Sequence, residues 1–139
     1  MILKNVIDLY DRYKEVINYL IFGFLTFVIS LLSYYLFTVT ILDASNAIEL
    51  QISNILSWII SVIFAYVTNR KFVFVSKNDN IVKEISSFFG ARVITLIMDM
   101  LIMFIFVTLI GWNDKVFKII SQIVVIVSNY FFSKFFVFK

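Results

Sequence analysis

Four apolar stretches, each about long enough to cross a bilayer, leave this chain few ways to fold. They run over residues 16–42, 50–68, 87–110 and 116–132. About 20 mainly apolar residues carry a helix across the hydrocarbon, and a longer run can cross with tilt. Lipid offers the backbone no hydrogen bonds, so a span must satisfy its own N–H and C=O groups, as a helix does. The chain has no proline and only three glycines to interrupt one. It is 62% hydrophobic and 15% charged, with mean hydropathy +0.99. A soluble domain is nearer half apolar and a quarter charged. The expected fold class is an all-α integral membrane protein, a single transmembrane domain over residues 1–139.

Residues 1–15 differ from the rest. Leu3, Val6, Ile7, Tyr10 and Tyr13 recur at helical spacing, and Lys4, Asp8, Asp11, Arg12, Lys14 and Glu15 fill the other positions. Such a pattern suits an amphipathic helix lying in the membrane interface and anchoring the first span. Basic residues are unevenly placed. Lys4, Arg12, Lys14, Arg70, Lys71, Lys77, Lys83, Lys134 and Lys139 lie in the N-terminal stretch, the middle loop and the tail; only Lys115 and Lys118 lie on the other side. Positive short loops stay in the cytoplasm, so both termini are expected there.

One short phrase occurs twice. Arg70-Lys71-Phe72-Val73-Phe74 closes the second apolar run, and Lys134-Phe135-Phe136-Val137-Phe138 closes the fourth. At the same offset, about 64 residues, Ser57 falls on Ser121 and Ile55 on Ile119. Phe22-Gly23 and Phe89-Gly90 match at nearly that offset. The pattern reads as two tandem repeats of two helices each. Two spans per repeat is an even number, so both copies would share one orientation. The Phe-Val-Phe triplets alternate with a period of two. They are expected to be extended, to lie as an aromatic belt, or to pack one repeat on the other.

Polar residues inside the spans are the candidates for function. Arg92, about one and a half turns into a third span that starts near Ser87, either reaches the headgroups or binds an anion. Its planar fork matches phosphate. Asp99 lies seven residues on, roughly 10 Å along the same face. It could bridge to Arg92 through water, sit protonated, carry a coupling proton, or serve structure. Asn69 and Asn129 end the two even-numbered spans, as terminators or as amide donors to phosphate or sugar. Lys118 mirrors Arg92 on the opposite side, either anchoring the helix near Trp112 or receiving a phosphate. Asn54, Ser57 and Ser61 form a polar stripe on the second span, and Ser121 and Gln122 are polar positions on the fourth. On the first span Gly23, Thr26 and Ser30 make a candidate packing seam.

Much chemistry is excluded. The chain has no Cys and no His, which removes disulfides, thiolates and the commonest general base and metal ligand. No nucleophile-base pair, metal cluster, phosphate loop or dinucleotide loop occurs. An enzyme is not expected, nor a cofactor, a metal or a nucleic-acid partner.

The sequence resembles the GtrA-like family of small four-helix membrane proteins, over nearly its whole length. The resemblance rests on Phe22-Gly23, on Ala65 with Asn69-Arg70-Lys71-Phe72-Val73-Phe74, on Phe88 and Arg92, and on Asn129 with Lys134-Phe135-Phe136-Val137-Phe138. Within the family it looks like the branch involved in wall teichoic acid glycosylation. The resemblance implies that Ala65, Asn69, Arg70, Val73, Phe74, Phe88, Arg92 and Asn129 fall on the family pattern. Asp99 does not belong to that pattern, and Lys118 is added on physical grounds. It also implies a translocator of polyprenyl-phosphate-linked sugar, moving it to the outer leaflet for a membrane glycosyltransferase. The alternative is a subunit that anchors or regulates such an enzyme without transporting. A small multidrug exporter fits less well, because the first span holds no carboxylate. Four short spans bury little surface, so a homo-oligomer is expected.

Overall fold

A computed structural model describes all residues, 1–139, as helices joined by short loops. The chain divides into two compact units, Met1–Val75 and Ser76–Lys139. Each holds two of four helices long and apolar enough to cross a membrane.

The first unit pairs α1 (Ile2–Thr40) with α2 (Ala47–Thr68). α1 is continuous through the expected boundary near residue 15, except that Tyr13 leaves helical geometry (φ −112°, ψ 15°). The amphipathic stretch and the first span are thus one helix broken at Tyr13. Tyr10 bridges the break by donating its hydroxyl to Asn18 Oδ1 at 3.2 Å. The loop to α2 is built from its own polar groups. Ser45 donates its N–H and hydroxyl to Asp43 Oδ1 at 2.9 and 2.7 Å. Asn46 caps α2 by accepting from the Ile48 and Glu49 N–H groups.

The second unit pairs α3 (Ile81–Met103) with α4 (Asp114–Phe132). Its helices also start on asparagine caps, Asn80 accepting from the Lys83 N–H and Asn113 from those of Lys115 and Val116. These caps correct the expected starts. α3 begins six residues before Ser87, so Ile81–Glu84 is helix, not loop. Glu84 is buried and accepts from the Ser76 hydroxyl at 2.7 Å. Past Met103 the helix widens into a π-helical turn, Phe104–Leu109. It ends on Gly111, whose φ of +81° is left-handed. The Trp112 N–H then reaches the Phe106 carbonyl at 3.0 Å, and the two rings stack at 5.4 Å. A left-handed glycine just past the last turn, with an apolar contact back onto that turn, is a common way to end a helix.

Asn69 does not stop the second span. Its backbone stays helical (φ −64°, ψ −44°), and the helix runs on as a π segment, Asn69–Val73. The fourth span likewise continues as a π segment, Ser133–Val137. Phe72-Val73 and Phe136-Val137 are therefore helical, not extended, and Phe74 and Phe138 sit at the two helix ends. Each triplet packs on the first helix of its own unit. Phe72 stacks on Phe22 at 5.3 Å and Phe74 meets Tyr19 at 6.4 Å; Phe138 meets Phe88 at 5.9 Å.

Burial runs opposite to a soluble protein. The buried side chains include Ser53, Ser57, Ser61, Thr68, Thr95, Ser121 and Ser133, while Phe24, Leu36, Ile63, Ile97, Leu109 and Ile119 are exposed. Apolar surface is compatible with lipid, and small residues let helices approach. The α2 serines spend their hydroxyls on their own helix: Ser53 on the Glu49 carbonyl, Ser57 on Asn54, Ser61 on Trp58. Gly23, expected in a seam of α1, is exposed within this chain, and a Cβ there would meet nothing within 4 Å.

A candidate anion site on the third and fourth helices

Arg92 sits eleven residues past the first residue of α3, about three turns in, deeper along the helix than a start at Ser87 would place it. Its guanidinium lies over the Phe88 ring, 4.6 Å from the centroid. A ring face attracts a cation but accepts none of its N–H groups in the way a carboxylate would. No acidic side chain pairs with it. Phe88 is fully buried and is backed by Phe138. The π segment at the C-terminus thus returns the last phenylalanine to the ring that carries the arginine.

One turn on, Thr95 is buried and donates its hydroxyl to Asn129 Oδ1 of α4 at 2.8 Å; Thr95 Oγ1 also lies 3.0 Å from the Arg92 carbonyl oxygen. Asn129 is therefore not a helix terminator. It lies within α4 and ties α4 to the arginine's turn of α3.

Asp99 faces Lys118, not Arg92. The Lys118 ammonium lies 3.1 and 2.9 Å from the two carboxylate oxygens. Ser121, fully buried, donates to Oδ1 at 2.5 Å, and Gln122 Nε2 is 3.4 Å from the same atom. Lys118, Ser121 and Gln122 share a face of α4 at helical spacing. The Asp99 side chain is 17% exposed and that of Lys118 is 50%. The ion pair thus has an enclosed acidic end and an open basic end.

The second unit therefore carries Arg92, Phe88, Asn129, Asp99, Lys118 and Gln122 of the expected residues. The first carries Ser57, Ala65, Asn69, Arg70, Val73 and Phe74. Ser57, Ala65, Asn69 and Val73 are buried there, with the Ser57 hydroxyl engaged as described; Arg70 and Phe74 are partly exposed. Sequence reasoning missed Thr95 and Glu84. Thr95 was visible as the residue one turn after Arg92 on its own face. Glu84 was hidden by assigning its segment to a loop.

The fold and this polar face define a four-helix membrane protein with an uncommitted cation inside a span. The chain belongs to the GtrA/DPMS transmembrane domain family, whose model matches residues 18–138. It is 36% identical to the cell wall teichoic acid glycosylation protein GtcA of Listeria innocua, over 93% of this chain and 88% of that one. It is 38% identical to a GtcA of Listeria monocytogenes, over 99% and 94% of the two chains. It is 35% identical to the membrane protein YwcD of Bacillus subtilis, over 87% and 94%. No solved structure matches.

Proposed function

We propose that the chain moves a polyprenyl-phosphate-linked sugar from the cytoplasmic to the outer leaflet, for glycosylation of wall teichoic acid or another surface polymer. One observation carries this reading. The Arg92 guanidinium stands inside a span with an aromatic face beneath it and no carboxylate beside it. A charge in that position is costly unless it has work, and a phosphate is the group its fork fits. The names of the GtcA relatives supply the acceptor class. Arg92 takes the phosphate on the cytoplasmic side, Lys118 meets it on the outer side, and Asn129 holds the α3–α4 geometry between them.

The membrane placement belongs to the same reading. Both termini face the cytoplasm, following the Lys/Arg distribution, and residues 2–12 lie along the interface up to the break at Tyr13. The chain is a tandem duplication. In support, the π segments Asn69–Val73 and Ser133–Val137 fall 64 positions apart. Ser57 and Ser121 are buried alike, as are Val73 and Val137.

A second reading, a membrane subunit that positions a glycosyltransferase without moving lipid, draws on Gly23 and Gly90. Both present open helix surface, where another helix can approach closely. Cells carrying Arg92→Ala as the sole copy separate the two. Under translocation, surface glycosylation is lost while the protein stays in the membrane at normal level. Full glycosylation in that strain removes Arg92 from the mechanism and favours the positioning role.

A further inference from the structure

The Asp99–Lys118 pair has a feature that simple anchoring does not explain. Lys118 lies one turn from the start of α4. A lysine there normally leans toward the helix N-terminus and its nearest interface, because Cα–Cβ bonds tilt that way. Its ammonium is instead held by a carboxylate that residues one turn deeper, Ser121 and Gln122, also reach.

The two carboxylate oxygens are held unequally. Oδ1 accepts from Ser121 and Gln122 as well as Lys118, while Oδ2 is met by Lys118 alone. If the ammonium leaves, Asp99 stays anchored by the buried Ser121 hydroxyl. If it returns, the pair is neutral and has little attraction for an anion.

We propose that Asp99 is a resident counter-anion for Lys118, displaced when the phosphate of the lipid-linked sugar binds there and displacing it again on release. The proposal rests on reading Lys118 as the outer-face cation of the transport function. It assigns Asp99 a positioning role: it weakens the phosphate's hold on the lysine so that the lipid can leave.

The test uses full-length protein in phosphatidylcholine nanodiscs, with farnesyl phosphate as probe and farnesol as the control lacking phosphate. Trp112, tilted against Phe117 at 5.0 Å beside Lys118, is the fluorescent reporter in a Trp58→Phe background. Asp99→Asn is expected to bind farnesyl phosphate several-fold to about tenfold more tightly. The gain should vanish in the Asp99→Asn/Lys118→Gln double variant, and farnesol binding should not change. Unaltered or weaker binding by folded Asp99→Asn, beside normal binding by the parent, overturns the displacement and leaves the transport reading standing. Absence of farnesyl phosphate binding in the parent as well overturns both. Should Asp99→Asn fail to fold, infrared difference spectra of the parent decide. Displacement shifts an aspartate carboxylate band on phosphate binding, and an unchanged carboxylate region rejects it.

Discussion

The Thr95 hydroxyl and the Asn129 side-chain carbonyl meet across 2.8 Å, joining α3 to α4 in a buried position. The bond lies one turn from Arg92, so it fixes the backbone that carries the arginine. Thr95→Val keeps the shape and removes the donor. In a membrane such a bond is worth about 1 kcal/mol, less than desolvation alone would suggest. The variant should lose that much stability in detergent unfolding, and Thr95→Ser should recover most of it. Equal unfolding midpoints for all three proteins would mean that the bond does not form.

Val75, the last residue of the first unit, has φ +48°. A β-branched residue in the left-handed region is strained, commonly by about 1 kcal/mol or more. Val75→Gly should therefore raise the thermal unfolding temperature despite adding freedom to the unfolded chain. A drop on this substitution would show that Val75 is not left-handed in the folded protein.

These two positions show what was legible in the sequence and what was not. The four spans were legible because lipid demands long apolar helices and the chain offers four. The helix starts were not, because hydropathy locates the apolar run and not the cap. Asn46, Asn80 and Asn113 begin α2, α3 and α4 before the apolar runs do. The period-two look of Phe72, Val73 and Phe74 left extended chain open as one of three alternatives, but π-helical hydrogen bonding runs up to the end of the triplet, with the Phe74 N–H on the Asn69 carbonyl at 2.9 Å. The site was half legible. Arg92, Asp99, Lys118, Ser121, Gln122 and Asn129 all stood out as polar groups in apolar surroundings. Their pairing did not, because which residue faces which depends on how α3 lies against α4. Asp99 looked seven residues back along its own helix, yet its partner is on the next one.

The loop between α1 and α2 gives a pH test outside the membrane spans. The Ser45 hydroxyl and N–H on Asp43 hold its carboxyl below the usual carboxylate value. The folded form thus prefers the charged carboxylate. Its small stabilisation is present above the ordinary aspartate pKa and fades as pH falls through the lowered one. In Ser45→Ala the Asp43 titration, followed by carbon NMR, should move up toward the ordinary value. An unmoved titration would show that Ser45 does not hold the carboxylate in solution.

Arg92 is the residue on which the functional reading turns, and charge alone should not replace it. Arg92→Lys keeps the cation but loses the two-pronged geometry and the flat contact with Phe88. The most direct measurement places purified protein in vesicles with a fluorescent polyprenyl-phosphate-sugar and counts outer-leaflet lipid with a membrane-impermeant reagent. Wild-type protein should equilibrate the lipid between leaflets, Arg92→Lys should do so roughly ten times more slowly, and Arg92→Ala should not exceed empty vesicles. Equal lipid movement by wild type and Arg92→Ala, or none by folded wild type, would contradict translocation through Arg92.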